Sequence, residues 1–261
     1  MAQIVVGVPG PWRERTDLLK ALIPLGGGYL FAGLVFMEQS TGAVCEFAFV
    51  EHDPEMRGQV EVAGQGAFLP ADLEAVAGHA STAWLFFNDP GYEKVRMAAR
   101  FARVLLDAGG VAVKIDSSGL AHTRERWLRA WSDDDPWAVY SLFVVLVGSE
   151  GRFYSCGMHN FGLPDAAVPD ALGPHEGARL LNLFNVYQLA ESPTLNSGET
   201  FSLEADSPRF RLALEPYVDG YEDTPMLNPH GLWMLRPVAG ESPMPPPAPK
   251  PERRRWLPPW R

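Results

Sequence analysis

Residues 92–108 carry the pattern of an amphipathic helix. Its polar stripe is formed by residues spaced four, three and four apart, namely Arg96, Arg100, Arg103 and Asp107. Apolar side chains fill the rest of the surface, as expected for a helix packed on a core. Gly109 and Gly110 end the helix, and VAVKID (111–116) follows as a short strand. A helix that leads directly into a strand and buries most of its surface predicts a neighbouring sheet.

Short apolar runs bounded by Gly, Pro, Ser and Asp predict strands and hairpins along the rest of the chain. The predicted strands are 2–8, a hairpin of 29–37 with 43–50, 81–89, a hairpin of 137–147 with 152–158, and the segments TFSLEA, FRLALEPY and GLWMLRPV. Further helices are predicted at 17–23, 70–79, 121–131 and about 174–191.

This succession predicts an α+β fold with mixed or antiparallel sheets and helices packed on one face. We expect two similar-sized lobes in one compact body, an N-terminal α/β lobe at 1–132 and a C-terminal α+β lobe at 133–238. A tail rich in Pro, Arg and Trp occupies 239–261. Its eight prolines between residues 240 and 261 favour extended polyproline II over helix or strand.

The charge of the chain is unevenly distributed. Lys and Arg total 22 and Asp and Glu total 32, a formal net charge of −10. Residues 239–261 hold five of the basic and two of the acidic residues, so residues 1–238 carry −13. Such a body repels nucleic acids and anionic membranes and attracts a basic protein partner. We therefore expect a protein partner, and neither nucleic acid nor a membrane.

Several classes of site lack their sequence signature. No phosphate-binding Gly motif is present, and the six histidines show no metal-ligand spacing, so we expect no cofactor and no metal. No apolar run is long enough to span a membrane, and the start MAQIVVGVPGPW lacks the basic region of a secretory signal. Cys45 and Cys156 are too few for a disulfide framework, so we expect a cytoplasmic protein.

Two loops carry the residue types of a hydrolase. The first loop, at 116–122, and the strand before it contain the candidates Lys114, Asp116, Ser117 and His122. The second loop, at 157–165, contains the candidates His159 and Asp165. Ser117 with His122 resembles a nucleophile and its base, but no G-x-S-x-G motif surrounds the serine. A structural interpretation is also open, in which Ser117 or Ser118 caps a helix and alternation places Lys114 and Asp116 on one sheet face.

Three stretches resemble a family of bacterial cytosolic proteins that carry a domain of unknown function. They are VGVPGPWRERTDLL, AARFARVLLDAGGVAVKIDSSGLAHTRERW, and GMHNFGLPDAAV followed by a helix and LNSGETF, within residues 4–238. The resemblance implies an immunity or accessory protein of the kind found beside secreted toxins, including type VI secretion effectors. It implies no catalytic residues.

These observations predict a non-enzymatic binding protein that neutralises or escorts a cognate toxin. The expected partner-binding residues are the acidic run Asp133, Asp134 and Asp135 and the tail aromatics Trp256 and Trp260. Two alternatives stay open: a small hydrolase that uses the loops at 116–122 and 157–165, and a scaffold that recruits a partner through its proline-rich tail.

Overall fold

The computed structural model describes residues 3–26, 28–130, 135–149, 151–204, 206–216 and 224–238, and these form two sheets with covering helices. The expected acidic residues Asp133 and Asp134 and the whole tail, including Trp256 and Trp260, lie outside the described residues. No helix in the described ranges is both long and apolar enough to cross a membrane.

The first sheet is antiparallel and comes from the N-terminal half. Its seven strands are β1 (Gln3–Gly10), β2 (Tyr29–Ala32), β3 (Val35–Glu38), β4 (Ala43–Glu51), β5 (Ser81–Asn88), β6 (Ala112–Ile115) and β7 (Leu120–Thr123). They lie in the order β2-β3-β4-β5-β1-β6-β7. The central pair is β1 with β5, in register from Gln3 opposite Asn88 to Gly10 opposite Ser81.

The second sheet is mixed and comes from the C-terminal half. Its six strands are β8 (Val145–Ser149), β9 (Arg152–Cys156), β10 (Asp165–Pro169), β11 (Thr200–Phe201), β12 (Phe210–Glu215) and β13 (Leu232–Pro237). They lie in the order β11-β12-β13-β10-β9-β8, and only the β10–β13 pair is parallel among the described strands.

Seven α-helices lie in the described ranges. They are α1 (Arg15–Leu22), α2 (Met56–Ala63), α3 (Pro70–Ala77), α4 (Tyr92–Asp107), α5 (Arg124–Ala130), α6 (Pro136–Phe143) and α7 (Pro174–Glu191). Short 3-10 helices span Ile23–Leu25, Met158–Phe161 and Asp170–Leu172.

Helix α4 packs against the first sheet and also connects the two halves. Its buried face, which includes Phe101 and Leu105, belongs to one hydrophobic cluster with Val6 and Val113 of the sheet. The same cluster continues into Phe143 of α6 and into the 3-10 helix at Met158–Phe161. Helices α2 and α3 cover part of the opposite face of this sheet, and α7 covers one face of the second sheet.

The predicted α+β fold is confirmed, and so are the helix over 92–108 and the helix near 174–191. Residues 137–147 were expected as one strand but divide into α6 and β8, and the strand prediction over 137–143 is wrong. The Asp135 side chain accepts a hydrogen bond from the backbone N–H of Trp137 at 2.9 Å, and Pro136 occupies the first helical turn. This cap begins a helix that a uniformly apolar run does not reveal.

The predicted helix over 121–131 is also too long at its start. Residues Leu120–Thr123 form β7, in which His122 lies opposite Val113 of β6. The helix begins only at Arg124, where Thr123 Oγ1 accepts a hydrogen bond from the backbone N–H of Arg126 at 3.1 Å. Pairing with β6 therefore places residues 121–123, which the sequence pattern assigned to the helix, in a strand.

Candidate functional site

A groove of about 840 Å³ lies between the N-terminal and C-terminal halves. We call it the interlobe groove. It is lined by α2 and the residues after it, by the end of β6 with Ser118 and Gly119, by β8 and the end of β9, and by residues 224–226. Apolar side chains predominate, among them Val62, Val145, Val147 and Met226. Val62 is 81% exposed, so one wall of the groove presents a large apolar side chain to solvent.

Lys114 and Asp116 are in contact as an ion pair inside this groove, as alternation along one strand predicts. The Lys114 ammonium also lies over the Trp84 ring, 5.5 Å from its centroid. The side chain of Asp116 is 31% exposed and that of Lys114 is 12% exposed. The pair therefore presents its carboxylate to a ligand more than its ammonium.

The two loops that were considered as a hydrolase site lie next to each other. Gly157 has φ of 124°, and a Cβ added there would overlap the carbonyl oxygen of Phe143 and lie 3.1 Å from Ser118 Cβ. Only a glycine fits this close approach, because the conformation is in the region that side chains disfavour. The contact brings residues 117–118 beside the 3-10 helix that contains His159.

The two serines of the first loop have different surroundings. Ser117 is fully buried, and its Oγ accepts a hydrogen bond from the backbone N–H of Val5 at 3.4 Å. Ser118 is 2% exposed and lines the interlobe groove, and its Oγ has no hydrogen-bond partner among the described residues. Of the two serines, Ser118 is therefore the one that borders the groove, with its Oγ buried in the groove wall.

His159 is fully buried behind the groove. Desolvation lowers its pKa to about 4, although the carbonyl groups of Ser117 and Pro225 near the ring act to raise it and His230 acts to lower it further. These carbonyls lie outside hydrogen-bond geometry, so neither ring nitrogen has a partner within the described ranges. His159 is therefore neutral near pH 7 and borders the groove through Pro225, which lines it.

His122 contacts Leu142 and Trp127, which are not among the candidate residues. Its Nε2 donates to the carbonyl oxygen of Leu142 at 2.8 Å, because a carbonyl can only accept, and burial lowers the pKa of the ring to about 4. The ring also packs on Trp127, with 5.7 Å between centroids. These contacts tie β7 to the end of α6 and leave Ser117 without the base that the sequence suggested.

Asp165 is fully buried at the start of β10 and is surrounded by hydrogen-bond donors. Its carboxylate accepts from Ser155 Oγ at 3.1 Å, from the Met158 backbone N–H at 3.1 Å and from Asn228 Nδ2 at 2.7 Å. Burial raises the pKa of Asp165 to about 7, and these donors together with the Gly157 N–H act to lower it. No hydrogen bond or ion pair joins Asp165 to His159, so the two do not form a catalytic pair in this geometry.

Several residues of the site were missed by sequence reasoning. The sequence pattern assigns no role to Asn228, yet it bonds both Asp165 and the carbonyl oxygen of Leu163. Helix α2, which forms one wall of the groove, had no assignment, although Met56 and Val60 at i and i+4 carry its buried face. That spacing was the signal available in the sequence.

In the described part of the chain, no group of three or more His, Cys, Asp or Glu side chains is arranged to bind a metal ion. The rings of His52 and His79 are in contact, with centroids 4.6 Å apart and an angle of 40° between their planes, but each is engaged by backbone groups. Cys45 and Cys156 are free and buried, and desolvation raises the pKa of both thiols. Asp135 caps α6, as described above.

Part of the chain matches a known protein family. Residues 154–220 match a family model described as a domain of unknown function, DUF4261. The matched segment runs from β9 past the end of β12 and contains His159 and Asp165. No curated protein and no solved structure matches the chain.

Proposed function

We propose that the chain is a non-enzymatic binding protein that holds a segment of a protein partner in the interlobe groove. The observation that carries this proposal is the lining of the groove, where both halves of the chain contribute exposed or half-exposed apolar side chains. Val62 is 81% exposed on one wall, and Val145 and Val147 are half-buried on the other. Apolar surface left in water and bordered by polar groups is typical of interaction sites.

The charge of the chain favours a basic partner. Residues 1–238 carry −13, which attracts a positively charged protein over long range and speeds the encounter. Inside the groove the ion pair of Lys114 with Asp116 is neutral overall, and the acidic partner is the more exposed of the two. A basic side chain beside apolar ones is the chemistry that fits this lining.

The surroundings of the candidate catalytic residues support binding over hydrolysis. Ser117 holds Val5, His122 holds Leu142, and Asp165 holds the turn at Asn228. Each of these side chains already has a structural partner. A nucleophile and its base need to contact each other and a substrate.

A narrower form of the proposal names the partner as a cognate toxin, which a cytoplasmic immunity-type protein would neutralise or escort. Its support is the sequence resemblance and the acidic charge. The test is the protein encoded by the adjacent reading frame. We expect it to bind this chain in isothermal titration calorimetry and to lose its toxic activity when bound. A neighbouring protein with an ordinary metabolic activity would contradict the narrower form.

A hydrolase is the second candidate, and one observation favours it. Ser118 Oγ and both ring nitrogens of His159 are buried, lack partners in the described residues, and lie at or behind the same groove. Catalytic hydrogen bonds are often long without substrate and tighten in the complex, so this arrangement is compatible with a serine nucleophile and a histidine base. On this alternative Ser118, and not Ser117, would be the nucleophile.

The test of the binding function is selection of random peptides displayed on phage against the immobilised chain. We expect enrichment of peptides that bind the native chain and do not bind the Val62→Arg variant, because an arginine would place charge on the apolar wall. The matched control is Leu69→Arg, which makes the same change at a side chain 68% exposed outside the groove lining. The proposal would be contradicted if no peptide is enriched, or if Val62→Arg and Leu69→Arg lose peptide binding equally.

A further inference from the structure

Strand β8 has an outer edge that no described residue pairs with. It is the last strand of the second sheet and pairs only with β9 within the described ranges. Proteins protect such edges with Lys or Pro, with bulges or with inward-pointing charges. The sequence of β8, Val-Leu-Val-Gly-Ser, contains none of these residues, and its register with β9 is regular from Val145 opposite Cys156 to Ser149 opposite Arg152.

The register defines which backbone groups face outward. Hydrogen-bonded and non-hydrogen-bonded pairs alternate along an antiparallel ladder. The pair beside the two-residue turn, Ser149 with Arg152, is the hydrogen-bonded one, so Gly148 and Leu146 direct their N–H and C=O groups away from β9. These outward groups are the ones that an additional strand would bind.

The interlobe groove lies along the same strand. Val145 and Val147 alternate with Leu146 and present their side chains to the groove, while Leu146 packs toward the core beneath α7. An extended segment beside β8 would place every second side chain in the groove, against these valines and Val62. Asp116 in the lining is paired with Lys114 but keeps 31% of its side chain exposed, and a basic side chain of that segment would contact this exposed part.

We infer that the interlobe groove takes its partner segment as an added β-strand paired with the outer edge of β8. The segment would be extended, apolar at alternate positions and basic at one or more others. Main-chain hydrogen bonds to Gly148 and Leu146 would supply affinity, and the groove would select the side chains. This inference rests on the proposed function and adds to it the conformation and chemistry of the bound segment.

The experiment uses a fluorescein-labelled peptide of alternating Val and Arg, titrated with the full chain and followed by fluorescence anisotropy. Two derivatives carry N-methyl groups on alternate amides, one on the odd-numbered residues and one on the even-numbered residues. Only one set of amides can face β8, so we expect one derivative to lose about tenfold or more in affinity and the other to bind like the parent. Equal affinity of the two derivatives would overturn the inference.

A second measurement changes the protein. Gly148→Pro removes one outward N–H, whereas Gly148→Ala keeps it, and a Cβ at this exposed position would make only ordinary contact with Phe153 at 3.5 Å. We expect weaker peptide binding in the proline variant alone, with circular dichroism confirming that both variants fold. The N-methylated peptides test the pairing even where the proline variant fails to fold.

The outcomes separate the two proposals. If Val62→Arg abolishes peptide binding but the two N-methylated peptides bind equally well, the binding function stands and the added strand is contradicted. Failure of the parent peptide to bind, together with a phage selection that enriches no peptide, would remove both.

Discussion

The side-chain amide of Asn228 donates to Oδ2 of Asp165 across 2.7 Å, although 63 residues separate them in the chain. The same amide nitrogen donates to the carbonyl oxygen of Leu163 at 3.0 Å, and Asn228 Oδ1 accepts from the backbone N–H of His230. Asn228 thereby fixes the turn before β13 to the start of β10. The parallel pairing of these two strands begins at this point, with Asp165 opposite Leu232.

Asn228→Ala should destabilise the fold by about 2 kcal/mol, because it leaves a buried carboxylate with one donor fewer. Urea denaturation followed by circular dichroism measures the change. The control is Asn88→Ala, which removes an exposed amide that bonds only Gln3 in the described structure. A loss in Asn228→Ala no larger than in this control would show that Asp165 does not depend on the contact.

The stability of the fold should rise with pH between about pH 4 and pH 6.5. Burial lowers the pKa of His122 and of His159 to about 4, below the ordinary value of 6.5. In this window both histidines bind a proton in the unfolded chain but not in the folded chain. The free energy of unfolding that they contribute is therefore fully present above pH 6.5 and is lost as the pH falls. Asp165 acts in the opposite direction, because its raised pKa of about 7 means that the folded chain holds a proton which the unfolded chain has lost.

For these three groups the net difference is about one proton, or a slope of about 1.4 kcal/mol per pH unit, and the lowered pKa values of His79 and His230 add to it in the same direction. Urea denaturation at a series of pH values measures it. His122→Gln keeps a donor for Leu142 and removes the titrating ring, so its slope should be lower by about 1.4 kcal/mol per pH unit, whereas Asp165→Asn should make the slope steeper. A slope that is unchanged in both variants would show that these groups do not titrate as proposed.

Ser118→Ala should leave the fold as stable as before or stabilise it by about 1 kcal/mol, because the buried Oγ has no partner in the described structure. Ser155→Ala is the contrasting variant, since Ser155 Oγ donates to Asp165 and accepts from the Ala166 N–H at 2.9 Å. It should destabilise the fold by about 2 kcal/mol. The free energies of unfolding from urea titrations compare the two.

The same pair of variants tests the hydrolase alternative. We expect no covalent labelling of the native chain by a fluorophosphonate, which reacts with activated serines. Labelling of the native chain and of Ser155→Ala, but not of Ser118→Ala, would instead establish Ser118 as a nucleophile and favour the enzyme over the binding protein.

The parts of the fold that the sequence predicts correctly are those with a marked period or a clear turn. Helix α4 is defined by a polar stripe, and the β8–β9 turn is defined by the Gly-Ser-Glu-Gly segment between two apolar runs. Where every residue is apolar the period disappears. Residues 137–147 therefore gave no sign that a helix begins after the cap at Asp135 and changes to extended backbone at Val144, where φ is −122° and ψ is 133°.

The candidate site was predictable only within single strands. Alternation correctly places Lys114 and Asp116 on one face of β6 and its end. The approach of Ser118 to the loop of His159 depends on tertiary packing around Gly157, and sequence spacing contains no information about it. For the same reason the sequence could not show that α2 and β8 form opposite walls of one groove.

Gly157→Ala should destabilise the fold by about 3 kcal/mol or more, because the new Cβ overlaps the Phe143 carbonyl and the backbone has positive φ. Gly151→Ala is the matched control, with φ of 79° and open space around its would-be Cβ. It should cost only about 1 kcal/mol, the penalty of the conformation itself. Thermal and urea unfolding distinguish the two, and equal losses would mean that the two loops are not packed together as described.

Removal of residues 240–261 should leave the fold intact, because β1–β13 and α1–α7 all end before that segment. The segment carries +3 against −13 for residues 1–238, at the high effective concentration of a single chain. We therefore expect Trp256 and Trp260 to dock on the body of the protein, and truncation to lower the melting temperature by a few degrees.

Two measurements check this prediction. The first compares the tryptophan fluorescence of Trp256→Ser and of Trp260→Ser with that of the native chain, and the emission lost in each variant should be blue-shifted, as for buried indoles. High salt should shift this emission to the red, because it screens the attraction between the basic tail and the acidic body. Loss of fully solvated emission with no change in melting temperature would show that the tail does not dock on the body. Collapse of the fold on truncation would show that the tail belongs to the core.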